Sequence, residues 1–314
     1  MDEVSFRIDS GDKIGLVGRN GAGKTTLTRV LAGEGLPAGG KVTRTGEIGY
    51  LPQDPRTPDM EQLAKDRILA ARDLDKVIAK LRKAENDMAS EDNNIRDKAM
   101  RRYDRLEAEF LAHGGYAAEA EAAAISSNLA LPERILNQPL KTLSGGQRRR
   151  VELARILFSG AKTMLLDEPT NHLDADSVAW LRDFLKSHTG GLIVISHDVE
   201  LLDATVNKVY HLDANRATID QYNLGYKKYL AQRETDERAR RRERANAEKK
   251  AGVLMEQANK MRAKATKAVA AQNMAKRAER LLAGLEEVRA NDKVAALRFP
   301  DPSPCGKTPL MAEG

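Results

Sequence analysis

Two near-continuous apolar runs, Thr163–Asp167 and Leu192–Ser196, stand out along this chain. Such runs mark strands buried on both faces, since a strand with one wet face alternates instead. A helix is predicted between them, over Ser177–Ser187. Nearer the start, Val4–Ile8 alternates like a short strand. Lys13–Val17 reads as a second strand, bounded by glycine, leading through a loop into a helix from about Lys24 to Leu31. Glu47–Gln53 reads as another strand, and Val206–Asp213 with Ala217–Tyr222 as a closing hairpin around Ala214–Arg216. Residues 60–125 are polar, with helical periodicity and few turn signals. Strand and helix in alternation predict an α/β core, here with a helical insertion at about 58–155.

From about Leu224 the pattern changes. Ala, Arg, Lys, Glu and Gln dominate residues 226–298; Gly252 and Gly284 are the glycines there, and no proline comes before Pro300. Leu281, Leu285 and Val288 repeat at i, i+4 and i+7. This predicts two long antiparallel helices with a reversal somewhere in 262–270. Roughly 30 residues of helix span about 45 Å, so such an arm projects well beyond the core.

Charge sharpens that division. The net charge is +6, yet residues 231–300 hold about 18 basic and about 10 acidic side chains, while residues 1–230 are nearly neutral. The basic excess therefore belongs to the arm. A solvated coiled coil with no ligand and a polyanion-binding arm both fit a charge-rich helical pair. No run of 18 apolar residues offers a membrane span. No signal-peptide order is seen at the start, and the single Cys305 rules out an internal disulfide framework. These features point to a cytoplasmic protein without membrane insertion.

Three stretches carry chemistry. Gly18-Arg19-Asn20-Gly21-Ala22-Gly23-Lys24-Thr25 fits the phosphate loop G-x-x-x-x-G-K-[ST] between a strand and a helix. Its glycines let backbone N–H groups wrap phosphates, Lys24 supplies a point charge, and the helix N-terminus adds its positive end. Gly18, Asn20, Gly21, Ala22, Gly23, Lys24, Thr25 and Thr26 are thus the nucleotide-binding candidates. The Thr25 hydroxyl is placed for Mg²⁺. Met164-Leu165-Leu166-Asp167-Glu168 ends a buried strand in two carboxylates: Asp167 for the Mg²⁺ shell and Glu168 as general base for the attacking water. Third, the Leu143-Ser144-Gly145-Gly146-Gln147 turn forms a second phosphate-binding surface, one that cannot reach a nucleotide on its own chain.

Gln53 in Tyr50-Leu51-Pro52-Gln53, the Leu143–Gln147 turn, Asp167-Glu168, Asp174 and His197 occur in the order found in ATP-binding cassette ATPases, which roughly residues 1–230 resemble. The resemblance implies a P-loop ATPase fold with a helical signature subdomain, and ATP with Mg²⁺ as its cofactors. By the same resemblance Gln53 senses Mg²⁺ and the attacking water, His197 is the switch histidine on the γ-phosphate, and Asp174 communicates across a dimer. Ser144, Gly145, Gly146 and Gln147 close over the opposite cassette's ATP. The partner is then a second cassette, or a second copy of this chain, and one cassette alone is expected to hydrolyse ATP weakly. An aromatic residue about 25 positions before the phosphate-loop lysine, which stacks on adenine in the family, has no counterpart here; Phe6 reads as core.

Thr170-Asn171-His172-Leu173-Asp174 followed by a long basic helical segment resembles, more narrowly, the ABC-F family. The resemblance implies a cassette at 1–225, a hairpin linker at 226–300 and, at 301–314, the start of a second cassette cut short. It also implies ribosome and transfer RNA as partners of the linker, in translation or antibiotic resistance. Lys260, Arg262, Lys264, Lys267, Lys276, Arg277 and Arg280 are the RNA-binding candidates, suited to salt-dependent contact with phosphate backbones. The soluble ATPase subunit of a membrane transporter is the alternative. A DNA-acting ATPase of the repair type fits less well, because here the coil follows the cassette instead of interrupting it.

Overall fold

The computed structural model describes residues 4–54, 59–214, 217–262 and 268–283; the side chains of 261–262, 268–271 and 280–283 lie outside that description. Six strands form one sheet: β1 (Lys13–Gly18), β2 (Ile48–Leu51), β3 (Thr163–Asp167), β4 (Gly191–Ile195), β5 (Lys208–Asp213) and β6 (Thr218–Tyr222). They lie in the order β2-β3-β4-β1-β5-β6. All neighbours are parallel except β5 and β6, which close the sheet as an antiparallel pair.

Burial explains the apolar runs. Leu165, Ile193 and Ile195 join Ile14 and Leu16 on one face, against Leu27 and Leu31 of α1 (Lys24–Ala32). Met164, Leu166, Leu192 and Val194 face the other way, into a larger core shared with the helices that follow. Both faces are dry, so alternation is lost, and each leucine fully buried in this way contributes about 1.5–3 kcal/mol.

Between β2 and β3 the chain makes the helical subdomain. Its helices are α2 (Ala64–Leu69), α3 (Leu74–Met88), α4 (Asn93–Ala112), α5 (Gly115–Asn128), α6 (Glu133–Leu136) and α7 (Gly145–Phe158). α7 is buried almost all round and packs against α2, α5 and β2. It begins at a full capping box: the Gln147 N–H donates to Ser144 Oγ at 3.2 Å, and the Ser144 N–H donates to Gln147 Oε1 at 2.9 Å. α8 (Ala175–Ser187) and α9 (Val199–Thr205) complete the cassette.

α10 (Tyr226–Arg262) and α11 (Ala268–Ala283) pack along each other as a hairpin. The root of α10 is sunk into the sheet. Tyr229 is fully buried, its hydroxyl 3.1 Å from His211 Nδ1 on β5, and it packs edge-on against Tyr222. Outward from the root, α10 is laced by i,i+4 ion pairs such as Arg238–Glu234, Arg244–Glu248 and Lys260–Glu256. Each exposed pair of this kind adds about 0.3–0.5 kcal/mol. No helix among the described residues is long and apolar enough to cross a membrane.

Two expectations change. Val4–Ile8 is not a strand of the sheet: its nearest tie to β6 is a side-chain bond, Gln221 Nε2 to the Ser5 carbonyl, and Phe6 instead packs edge-on against Tyr210. Its alternation reflects apolar residues laid on the sheet face without a ladder. The expected strand Glu47–Gln53 is shorter, because Pro52 has no N–H to continue the ladder. Asn215 and Arg216 of the hairpin turn, Lys264, Lys267, Gly284, Leu285, Val288, Phe299, Pro300, Cys305 and the 301–314 segment lie outside the described residues, as do the side chains of Arg262, Arg280 and Leu281.

Candidate functional site

The carboxyl ends of β1, β3 and β4 converge, the usual place for a ligand in an open parallel sheet. There they open into a cleft of about 600 Å³, lined by Asn20, Gly21, Gly23, Lys24, Thr25, Thr26, Gln53, Asp167, Glu168 and His197, with Thr170, Asn171 and Asp198. Gly18 and Ala22 stand behind this lining. A Cβ on Gly18 would lie 2.7 Å from the Leu212 carbonyl oxygen, so only glycine lets β1 turn there against β5.

Gly21 and Gly23 are both left-handed, at φ 77° and 95°. Left-handed glycines of this kind let a loop present backbone N–H groups to an anion as a nest. Lys24 Nζ crosses the loop to donate to the carbonyls of Gly18 (2.7 Å) and Arg19 (3.0 Å). Burial lowers its pKa, while the charges of Asp167 and Glu168 oppose the shift. The Thr25 hydroxyl donates to Asp167 Oδ2 at 2.7 Å, joining the first turn of α1 to the end of β3.

Glu168 follows at a sharp left-handed turn, φ 50°. Its Oε1 lies 3.3 Å from His197 Nε2, and its Oε2 accepts from the His197 N–H at 3.3 Å. Burial raises the pKa of Glu168, with His197 and Lys24 opposing. Burial likewise raises that of Asp167 against the bond from Thr25. Two carboxylates are thus kept poorly hydrated beside a lysine and an anion nest. Thr25, Asp167 and Gln53 supply hydroxyl, carboxylate and amide oxygens, a set of hard donors suited to a Mg²⁺ that keeps waters and takes phosphate oxygens. Among the described residues, no group of three or more His, Cys, Asp or Glu could hold a metal by itself.

Ser144, Gly145, Gly146 and Gln147 do not line this cleft. They cap α7 on the neighbouring surface, where Gly145 borders a smaller hollow of about 320 Å³ with Gln53, Asp54, Arg149, Asn171 and His172. Gly146 sits against His172, whose Cβ would be 3.3 Å from an added methyl. Asp174 caps α8 by accepting from the Ser177 N–H at 2.8 Å, a bond that lowers its pKa.

One residue was missed in the sequence. Arg149, only 6% exposed, sends its guanidinium beneath the cleft to main-chain carbonyls. Nη2 donates to Asp167 (2.6 Å) and Glu168 (2.9 Å); Nη1 donates to Pro52 (3.2 Å) and to Gln53. It stands in the run Arg148-Arg149-Arg150, which reads as solvated. Its signal is the spacing: Arg149, Leu153 and Ile156 share one helix face at i, i+4 and i+7, and the last two are core.

A family profile described as ABC transporter matches residues 1–171, and an extension profile of the same description matches residues 212–299. The tylosin resistance ATP-binding protein TlrC of Streptomyces fradiae is 37% identical over 247 residues, 77% of this chain and 44% of that protein. The chain belongs to the ABC-F family of ATP-binding cassette proteins. The energy-dependent translational throttle protein EttA of Haemophilus influenzae is 35% identical over 236 residues, 74% of this chain and 42% of that protein. This ABC-F chain therefore spans less than half the length of these curated relatives. Among solved structures, the ATP-binding subunit of an ABC transporter matches with a TM-score of 0.51 at 19% identity, over 70% of this chain and 82% of that one. That likeness fixes the α/β cassette fold alone.

Proposed function

We propose that this ABC-F chain binds ATP with Mg²⁺ in the cleft and hydrolyses it, and that cassette closure sets the position of the basic α10–α11 arm on the ribosome and its transfer RNA. The arrangement of Thr25–Asp167 and Glu168–His197 within one cleft, with the Ser144–Gln147 turn facing elsewhere, carries the reading. Thr25, Gln53 and Asp167 hold the Mg²⁺, which supplies charge neutralisation at the phosphates. The nest at Gly21–Gly23 and Lys24 bind the phosphates. Glu168 takes the proton of the attacking water, and His197 sits where it can orient both Glu168 and the γ-phosphate. The turn that remains, Ser144-Gly145-Gly146, serves the nucleotide of a second cassette or a second copy, with Asp174 beside that junction.

The arm reading draws on the printed names of TlrC and EttA, which concern resistance to tylosin and translation, and on the charge of the hairpin. Lys276 and Arg277 are exposed on α11. Lys260 is exposed too, paired with Glu256 at 2.7 Å, an exposed pair that is cheap to exchange for a phosphate. Arg262, Lys264, Lys267 and Arg280 belong to the same basic set.

The Glu168→Gln chain is expected to co-sediment with ribosomes when ATP is present and to lose that association as salt rises. Reversing charge at Lys276 and Arg277 is expected to weaken it severalfold and flatten the salt slope. Sedimentation indifferent to ATP would overturn the ribosome reading.

The raised pKa of Glu168 has a kinetic consequence. The base acts as a carboxylate, so activity falls as pH drops through its pKa. That acid limb of kcat/KM, which reports the free enzyme, is expected above the ordinary glutamate range. A limb at or below that range, in steady-state phosphate release with saturating Mg²⁺, would contradict Glu168 as a desolvated base.

A further inference from the structure

A charged guanidinium held nearly out of water solely for packing would be an expensive choice, since burial disfavours its charged form. Burial lowers the pKa of Arg149, opposed by the charges of Asp167, Glu168 and Asp54. What Arg149 grips is specific. On one side are the carbonyls of Pro52 and Gln53, where the chain leaves β2 and carries Gln53 to the cleft. On the other are those of Asp167 and Glu168, where it leaves β3. The planar fork spans both strand ends in two pairs of bonds, which a point charge on a flexible stem cannot reproduce.

The Glu168 peptide needs such a grip. Left-handed conformation is unfavourable for a non-glycine residue, and Glu168 adopts it at φ 50°. In that conformation its carbonyl points at Arg149 while its carboxylate points at His197. Holding the carbonyl therefore aims the carboxylate. Arg149 is also rooted in α7, a turn and a half after the Ser144 cap. The helix that presents the signature turn to another nucleotide is thus bonded directly to this chain's own Gln53 and Glu168.

We propose that Arg149 is a positioning residue: it fixes Gln53 and Glu168 relative to one another and couples both to the seating of α7. The setting of the signature turn is then felt at the water-activating carboxylate of the same chain, before any signal passes through the sheet. This rests on the hydrolytic reading of the cleft, but its first test does not.

Arg149→Lys and Arg149→Met are compared with wild type by amide hydrogen exchange. Faster exchange, about tenfold, is expected at residues 53, 54, 168, 170 and 171, with β4 and β5 as protected as before. In phosphate release, kcat is expected to fall about 10–100-fold, the scale of a small misplacement of catalytic groups, with KM for ATP within threefold. Millimolar guanidinium is expected to restore part of the rate to Arg149→Ala. Wild-type kcat in Arg149→Lys, or protection lost across the whole sheet with no guanidinium rescue, would overturn the proposal. A wild-type chain without ATP turnover at concentrations where two copies associate would overturn the hydrolytic reading instead, and the exchange pattern would still decide the role of Arg149.

Discussion

Glu168→Gln is expected to lower ATP turnover by about 10²–10⁴-fold, the range supplied by a general base, while nucleotide affinity stays within a few-fold. The substitution keeps the shape of the side chain and an oxygen able to accept the His197 N–H bond now made to Oε2. What it removes is the proton-accepting charge. Burial already disfavours that charge, so the neutral amide is expected to leave the melting temperature unchanged or raise it. Loss of turnover with undiminished stability separates a chemical role from a structural one. Binding of a fluorescent ATP analogue, phosphate release and thermal melting measure the three quantities. Turnover within threefold of wild type would remove Glu168 from the proposed mechanism.

Arg67→Ala is expected to destabilise the folded chain by roughly 2–4 kcal/mol, because it removes the two-armed partner of a buried carboxylate and leaves Arg155 to hold it. Glu152 lies on α7 with its side chain 4% exposed. Arg67 of α2 reaches it with both arms of its guanidinium, at 2.7 and 3.2 Å, and Arg155 adds a bond at 2.8 Å. Burial alone would raise the pKa of Glu152; the bonds and charges of the two arginines outweigh it and leave the pKa below that of an ordinary glutamate. A lowered folded pKa contributes stability that is fully present above the unfolded value and is lost as pH falls through the folded one. The gap between wild type and Arg67→Ala in urea denaturation is therefore expected to be widest near neutrality and to shrink below about pH 4.5. A gap that does not change with pH, or none at all, would show that the pair contributes little.

The sequence showed most clearly what depends on the water-excluding sheet. β3 is found over the predicted Thr163–Asp167, because apolar side chains on both of its faces leave no competing pattern. The phosphate loop was legible for a related reason: glycine takes the left-handed turns at Gly21 and Gly23 at the least conformational cost. Val4–Ile8 was misread because alternation reports an apolar side and says nothing about whether a neighbour offers a ladder. Arg149 was hidden because charge is the strongest surface cue in a sequence, and its partners are backbone carbonyls. Carbonyls occur at every residue, so no composition or motif announces them. The Glu168–His197 contact joins residues 29 apart in sequence; their motifs were visible, but not that the two side chains would meet.

The sunken root of α10 sets a gear ratio. Tyr229 is fixed against His211 on β5, the strand beside the one that delivers the phosphate loop. From Tyr226 the helix runs 37 residues, about 55 Å at 1.5 Å per residue. A tilt of the cassette by about 10° therefore sweeps the far end of this rod by about 10 Å. A small rotation at the root thus becomes a displacement the width of a helix at the other end, with no joint needed between them.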